Sequence, residues 1–361
     1  MLQSLLSFLI ISSLFLSLLP ASAIDTNSIE YRTAHHRADR CTIPILESSS
    51  PKQFLDSYFG HSPVILRGLG KNNPKFELFL HSTSIPRLRN DFANLSLTLA
   101  TANTFSHQKQ SMPLIDYIDN YLTRPVSINE SADNILYWFG DHEEPKHEYD
   151  DGEDTGDNIN NDEDNISKSL FGNLLARYPI PEHVFKLSSS NNNNNTSDNN
   201  NNANTFRYYS ALNQPYNSRY SGRLSFGAGP AFSGTPFHYH SQVFAQMLHG
   251  KKRWFIFPPS NENNLNQEHP NNRFIQSFII KPELSAIQWI NSLYTNNLNG
   301  DNNEIADLLI SNGLLECVLH SGDLLYLPDY WLHLTMNLEP SVFISIFMLD
   351  EFKTGFKTSH E

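Results

Sequence analysis

Three histidines are candidates for a metal site. His238 and His240 stand two positions apart in a stretch of β character, and His333 lies in a second such stretch. Residues i and i+2 of a strand point to the same face, so the first two imidazoles can bind one ion together. A third imidazole from a neighbouring strand would leave positions open for water or substrate on iron, zinc, copper or nickel. Because the chain has 15 histidines, half-buried strand histidines without a metal are the alternative interpretation.

The segments around these histidines are predicted to be strands of a jelly roll. Extended sequence covers 237–249, turns at Gly250 and returns through 253–257 before a Pro-Pro stop, which is typical of a hairpin. Further strands are predicted at 223–227, 316–319, 323–327, 330–338 and 342–349, and helices at 284–294 and 304–311. Short strands separated by Gly and Pro, with a few added helices, indicate a mainly β fold.

The remaining sequence predicts an N-terminal α+β region and two inserts. The α+β region covers 41–135, packs on the roll, and contains a helix that starts with Ser50 as N-cap and Pro51 at its first position. An acidic insert at 141–168 and an Asn-rich insert at 188–204 have too few large apolar residues to order themselves, so both are predicted to be disordered. The roll itself is expected at 205–350.

The charge of the chain argues against nucleic acid as a partner. The net charge is −13, and the stretch 141–164 alone carries twelve acidic residues against one lysine. The acidity therefore belongs to one insert, and no basic patch is available for a phosphate backbone.

The first 23 residues resemble a secretory signal peptide. An apolar stretch ends in Ala-Ser-Ala at 21–23, which is a small-x-small cleavage site. No later apolar run is long enough to span a bilayer, so no stable membrane span is expected after cleavage. We therefore expect the lumen of the endoplasmic reticulum, with secretion as the other possibility. Sequons at Asn94, Asn129 and Asn165 are candidate glycosylation sites on that route.

Three motifs resemble the JmjC, or cupin-8, family. They are GTPFHYH at 234–240, MLHGKKRWFIFPP at 247–259 and SGDLLYLPDYWLH at 321–333, in that order. The resemblance implies a double-stranded β-helix and a site for Fe(II) and 2-oxoglutarate. It implies that His238 and His333 are metal ligands, that Lys252 pairs with the distal carboxylate of 2-oxoglutarate, and that Thr235 assists Lys252. His240 stands where the family has a carboxylate ligand.

The departure at His240 leaves several functions open. Three neutral imidazoles make a less electron-rich metal than two imidazoles and a carboxylate, which puts oxygen activation in doubt. One hypothesis is a lumenal protein-binding or regulatory module with a three-His metal site. The alternative is an Fe(II)- and 2-oxoglutarate-dependent oxygenase that hydroxylates a protein side chain. Another divalent metal, such as zinc or manganese, is compatible with the residues, whereas a histone demethylase conflicts with the signal peptide.

The two cysteines, Cys41 and Cys317, are a candidate disulfide. In an oxidising compartment two cysteines are often paired, whereas two buried thiols are the other possibility. A bridge would tether a loose N-terminal arm, in which Cys41 is expected to precede the first helix, to a strand of the roll.

Overall fold

The computed structural model describes residues 24–47, 50–102, 109–140, 162–184, 220–259, 281, 283–294 and 304–350. Twelve strands lie in this part of the chain: β1 Ile45–Glu47, β2 Val64–Arg67, β3 Ser96–Thr101, β4 Lys109–Pro113, β5 Leu136–Gly140, β6 Tyr220–Gly229, β7 Val243–His249, β8 Lys251–Phe257, β9 Leu315–His320, β10 Leu324–Leu327, β11 Leu332–Asn337 and β12 Ser341–Asp350. The α-helices there are α1 Ile29–His35, α2 Pro51–Ser57, α3 Pro74–Ser82, α4 Ile85–Asp91, α5 Leu114–Tyr117 with a π turn at Ile118–Leu122, α6 Asp162–Leu175, α7 Ala286–Tyr294 and α8 Glu304–Ser311. The chain is mainly β with added helices, which confirms the predicted fold class.

The strands form two sheets that face each other. The major sheet has the order β1-β2-β10-β7-β12-β6-β5-β3-β4, and the minor sheet has the order β11-β8-β9. Strand β12 is apolar on both sides, as expected for a strand covered on both faces. Phe343 lies in the core between the sheets, and Ile344 lies in the core under the helices. The site residues described below lie between the sheets.

The N-terminal region extends the major sheet. Strands β1 and β2 join it beside β10, and β3 to β5 join it beside β6. The expectation that Cys41 precedes the first helix is wrong, because helix α1 lies before Cys41 and packs against α7. Ser28 provides the N-cap of this helix, whose seven residues are too few for a clear periodic pattern.

A disulfide and the hydrogen bonds of a buried ion pair attach the N-terminal arm, the segment from α1 to Cys41, to the minor sheet. Cys41 and Cys317 form a disulfide with a Cα–Cα distance of 4.2 Å. One residue away, Glu316 forms a buried ion pair of 2.9 Å with Arg253, whose other nitrogen donates to the carbonyl of Ala34 at 2.9 Å. The arm therefore completes the hydrogen bonding of a cation that the minor sheet buries.

The strand predicted at 237–249 and the acidic insert predicted at 141–168 differ from the structure. The strand predicted at 237–249 starts only at Val243, and the segment before it is extended but irregular. Helix α6 begins at Asp162, so the last seven residues of the predicted acidic insert form its first turns, and the prediction of disorder is wrong there. The rest of that insert, the Asn-rich insert and the predicted signal peptide lie outside the described residues. In the described part of the chain, no helix has the length and apolarity needed to cross a bilayer.

Candidate metal centre

Backbone pairing brings His238 beside His333. His333 lies in β11 opposite Ile256 of β8. His238 lies in the irregular segment that runs antiparallel to β11 on its other side, and the two histidines form an isolated bridge. Their backbones exchange hydrogen bonds of 3.0 and 2.8 Å. A close approach of the two segments makes this possible, since a Cβ built on Gly234 would lie 1.8 Å from the carbonyl oxygen of Thr335.

The three predicted histidines converge. The ring centroid of His333 lies 4.2 Å from that of His238 and 4.7 Å from that of His240, and the His238 and His240 rings are 5.5 Å apart. Each residue offers one nitrogen, and these three atoms lie within 4.8 Å of one another. The grouping is therefore compact enough for a single ion to be bound by all three residues.

Hydrogen bonds fix which ring nitrogen faces the centre of this cluster. The Nδ1 atoms of His238 and His333 lie 2.8 Å from the carbonyl oxygens of Pro236 and Trp331, and that of His240 lies 2.6 Å from the carbonyl of Ser241. A carbonyl accepts only from a protonated nitrogen, so each Nδ1 carries the hydrogen and each Nε2 keeps its lone pair. Metal-binding histidines are oriented by such contacts.

The electrostatics of His333 also suit a neutral ligand. Burial, together with the neighbouring His238 and His240, holds the pKa of the His333 imidazole well below its ordinary value. The ring is therefore neutral at physiological pH, and its Nε2 lone pair is available to a metal.

Aromatic rings wall the cluster on two sides, and the rest of it is partly exposed. The ring of Phe347 packs edge-on against His240 with centroids 4.9 Å apart, and the indole of Trp254 stacks on His333 at 5.6 Å. His333 is buried, whereas His238 and His240 are half-buried. Tyr239 and Tyr330 are exposed, and the backbone N–H of Tyr330 donates to the carbonyl of His240 at 3.1 Å. An ion bound here would have positions accessible from solvent.

Lys252 points into the interior between the two sheets. Its side chain is 3% exposed, and its Nζ donates to the hydroxyl of Tyr137 at 2.9 Å. The same Nζ lies 3.1 Å from the centroid of the Phe343 ring. No carboxylate pairs with it among the described residues, and burial lowers the pKa of the Lys252 ammonium well below its ordinary value. A negatively charged ligand that paired with this amine would favour its protonated form, so the position is suited to an anion.

Thr235 is placed near this interior by its backbone. Its carbonyl accepts from Thr335 N at 3.1 Å, and its own N–H lies 3.4 Å from the Thr335 hydroxyl. These contacts fix the segment that leads to His238.

Two residues of the interior were missed by the sequence analysis. Tyr137 comes from β5, more than a hundred residues before Lys252, and only the sheet order brings it there. Trp254 was assigned no role at the site, but its ring forms the wall behind His333. Strand parity with Lys252 was the one signal that could have found Trp254.

The other candidate residues lie away from the metal centre. Asn94 and Asn129 are exposed, as a glycan requires, while the side chain of Asn165 lies outside the described residues. Cys41 and Cys317 form the disulfide already described, at the outer edge of the minor sheet.

The fold and this site define a cupin-type protein with a three-His cluster inside the roll. The family profile described as cupin-like domain matches residues 51–353, so the chain belongs to this family. It is 27% identical over 325 residues to JmjC domain-containing protein 8 of Mus musculus, covering 89% of this chain and 87% of that protein. The human protein of the same name is 27% identical over 311 residues, covering 86% and 84%.

A more distant similarity covers a smaller part. The arginine-specific demethylase JMJ22 of Arabidopsis thaliana is 26% identical over 120 residues, which is 32% of this chain and 21% of that protein. The resemblance to JmjC proteins inferred from the three motifs is thereby confirmed.

Proposed function

We propose that this chain is an Fe(II)- and 2-oxoglutarate-dependent oxygenase that hydroxylates a protein side chain. The observation that carries the proposal is Lys252, a buried amine that faces the interior shared with the three histidines and has no carboxylate partner among the described residues. Burial of an unpaired ammonium is costly, so a site of this kind is maintained for a ligand that pairs with it.

The ligand chemistry follows from the two ends of the interior. At one end, Lys252 would pair with a carboxylate, and the Tyr137 hydroxyl, which accepts from Lys252, lies beside the same group. At the other end, the Nε2 atoms of His238, His240 and His333 would hold a divalent ion. A dicarboxylate with one end at each place fits this arrangement. When bound, Fe(II) and 2-oxoglutarate supply the oxidising chemistry, with one oxygen atom going to the substrate and succinate and carbon dioxide as by-products.

The residues of this chain would prepare the site for that chemistry. The Nδ1 contacts hold the three imidazoles in one tautomer, so the lone pairs are aimed at the ion without rearrangement. Trp254 and Phe347 exclude water from two sides of the cluster. The partly exposed side of the cluster, at the half-buried His238 and His240, would admit a side chain of a protein substrate.

His240 favours a second candidate function, a protein-binding or regulatory module without catalysis. Three neutral imidazoles leave the full charge of a divalent ion uncompensated, which favours binding of a dianion but weakens oxygen activation. In this case zinc, manganese or another divalent ion would serve equally well. The exposed rings of Tyr239 and Tyr330, with centroids 6.1 Å apart, would then contact a protein partner.

One experiment separates the two functions. The protein is purified without oxygen and loaded with Fe(II). It is then supplied with 2-oxoglutarate and oxygen, and succinate is measured. This assay needs no known substrate, because uncoupled turnover also releases succinate. The oxygenase hypothesis expects succinate that disappears in Lys252→Ala and His333→Ala. Tight binding of 2-oxoglutarate without succinate would favour the regulatory module, and absence of both would refute the proposed site.

We also propose that the chain works in the lumen of the endoplasmic reticulum. The Cys41–Cys317 disulfide supports an oxidising compartment, and the exposure of Asn94 and Asn129 supports glycosylation. The test is the electrophoretic mobility of the full chain expressed in eukaryotic cells, before and after removal of N-glycans. A shift that is reduced in Asn94→Gln and Asn129→Gln is expected, and a chain with no glycan and reduced cysteines would contradict the location.

A further inference from the structure

Trp254 has a buried polar atom that nothing in its surroundings satisfies. Its side chain is 6% exposed, and its Nε1 has no hydrogen-bond partner among the described residues. Buried polar groups in folded proteins nearly always have a partner, so each exception calls for an explanation. Of the tryptophans in the described part of the chain, Trp254 is the one with a buried, unpartnered indole N–H.

The position of Trp254 links the two ends of the candidate site. It is two residues from Lys252 on β8, so both side chains lie on the same face of the minor sheet. In the register of the sheet, Trp254 is opposite Thr335, and Lys252 is opposite Asn337. The indole ring also stacks on His333 at 5.6 Å with an interplanar angle of 27°. Trp254 therefore adjoins the buried cation on one side and the metal cluster on the other.

Packing alone does not account for this tryptophan. A phenylalanine could stack on His333 and fill apolar space without burying an unsatisfied donor. The indole N–H is a donor only, so its missing partner must be an acceptor. A carboxylate oxygen of a ligand held between Lys252 and the histidines is an acceptor in the right part of the interior.

We propose that Trp254 is a ligand-binding residue whose Nε1–H donates to a carboxylate oxygen of a short dicarboxylate held between Lys252 and the three histidines. This inference rests on the proposed function, because it assigns a third contact to the same ligand. It makes the minor sheet, through Lys252 and Trp254, the surface on which the ligand lies. His333 then orients Trp254 through the stack as well as binding the metal.

The test observes the indole proton directly. The chain contains four tryptophans, so protein labelled with ¹⁵N-tryptophan gives four indole signals, and the one lost in Trp254→Phe belongs to Trp254. The protein is loaded with Zn(II), which is diamagnetic, and titrated with 2-oxoglutarate. We expect the Trp254 signal to move downfield and its hydrogen exchange to slow, while the other three signals move little.

Affinity provides the second measurement. By calorimetry, Trp254→Phe is expected to weaken 2-oxoglutarate binding about tenfold, the usual range for a hydrogen bond to a charged group. Trp289→Phe is the matched control, because Trp289 is also buried but lies in α7, and it should leave the affinity unchanged. If Trp254→Phe does not fold, Phe substitutions at the other three tryptophans assign the wild-type signal by elimination.

Two contrary outcomes have different meanings. If 2-oxoglutarate binds in a Lys252-dependent manner while the Trp254 signal stays in place, the role of Trp254 is wrong and the proposed function stands. If 2-oxoglutarate does not bind to the Zn(II)-loaded protein, the proposed function and the role of Trp254 are both overturned.

Discussion

His238 and His333 exchange both of their backbone hydrogen bonds, at 3.0 Å from His238 N and 2.8 Å from His333 N. The spacing of these two ligands is therefore built into the backbone and does not depend on a metal. The register shifts by one residue next to this pair, because Thr335 N donates to Thr235 O. Between the two contacts the chain advances three residues on the His238 segment and two residues on β11. Pro236, which has no N–H, lies within this irregularity, as expected for a bulge.

Gly234→Ala should disrupt this arrangement. The added Cβ would lie 1.8 Å from the carbonyl oxygen of Thr335, which is backbone and cannot move away easily. We expect a loss of about 2 to 3 kcal/mol in the free energy of unfolding, together with weaker metal binding. Urea denaturation and metal titration measure the two effects. Gly322→Ala is the control, since Gly322 has φ +89° but open space around it, and about 1 kcal/mol is expected there. Equal losses in both variants would contradict the steric explanation.

Glu316→Gln should be strongly destabilising. Glu316 and Arg253 are 2% and 1% exposed and 2.9 Å apart, so the substitution leaves a buried guanidinium without its counter-charge. The expected cost is about 3 to 5 kcal/mol by denaturant unfolding. Asp56→Asn, which breaks the exposed ion pair with Lys52, should have little effect and provides the comparison. A small effect at Glu316 would mean that solvent reaches the pair.

Sequence was sufficient for the features that depend on strand character and motif order. The fold class, the helix at Glu304–Ser311 and the convergence of His238, His240 and His333 could all be predicted. Parity along a regular strand does not explain how His238 and His240 converge, because β7 starts only at Val243. The actual segment is irregular, and hydrogen bonds such as Tyr330 N to His240 O at 3.1 Å hold it in place.

The features that sequence could not give depend on register between distant strands. Tyr137 meets Lys252 only because β5 joins the major sheet beside β6, across a sequence separation of 115 residues. Helix α1 was missed because its seven residues carry a weak periodic signal and gain stability from packing on α7. The orphan Nε1 of Trp254 is likewise a property of three-dimensional packing and has no counterpart in the sequence.

His240→Asp tests the influence of the third imidazole on the metal. An aspartate would supply one negative charge to the cluster, and two imidazoles with one carboxylate are the ligands typical of oxygen-activating Fe(II) sites. We expect the variant to have a higher selectivity for Fe(II) over Zn(II) than wild type. We also expect it to form succinate from 2-oxoglutarate faster than wild type. His240→Asn has a similar shape without the charge and should show neither gain. If both variants behave alike, the charge of the third ligand does not limit the reaction.

Lys252→Met should stabilise the metal-free protein at neutral pH. Burial lowers the pKa of Lys252 in the folded state, so the folded state binds fewer protons at this position than the unfolded state, and wild-type stability rises with pH between the two pKa values. The free energy of unfolding of the variant therefore exceeds that of wild type most at low pH. The difference shrinks as pH approaches about 10.4, the ordinary pKa of lysine. Chemical denaturation at about pH 6, about pH 7.5 and about pH 9 measures this trend. Lys251→Met is the matched control, because Lys251 is the exposed neighbour of Lys252, and it should change the free energy of unfolding little. A parallel pH dependence in wild type and Lys252→Met would show that the ammonium is solvated in the folded state.

The disulfide should stabilise the protein by holding the N-terminal arm. Cys41 and Cys317 close a loop with a sequence separation of 276 residues, for which chain entropy predicts about 5 kcal/mol and typical measurements give about 2 to 4 kcal/mol. The arm also supplies the carbonyl of Ala34 to Arg253, so loss of the bridge should loosen a buried hydrogen bond as well. We expect the double variant Cys41→Ser with Cys317→Ser to melt at a lower temperature than wild type, and a reductant to lower the wild-type melting temperature without affecting the variant. Hydrogen exchange should become faster in α1 and at Arg253.

A reductant effect of equal size in both proteins would mean that the effect does not come from this bridge. Two free thiols by non-reducing mass spectrometry would show that the bridge does not form.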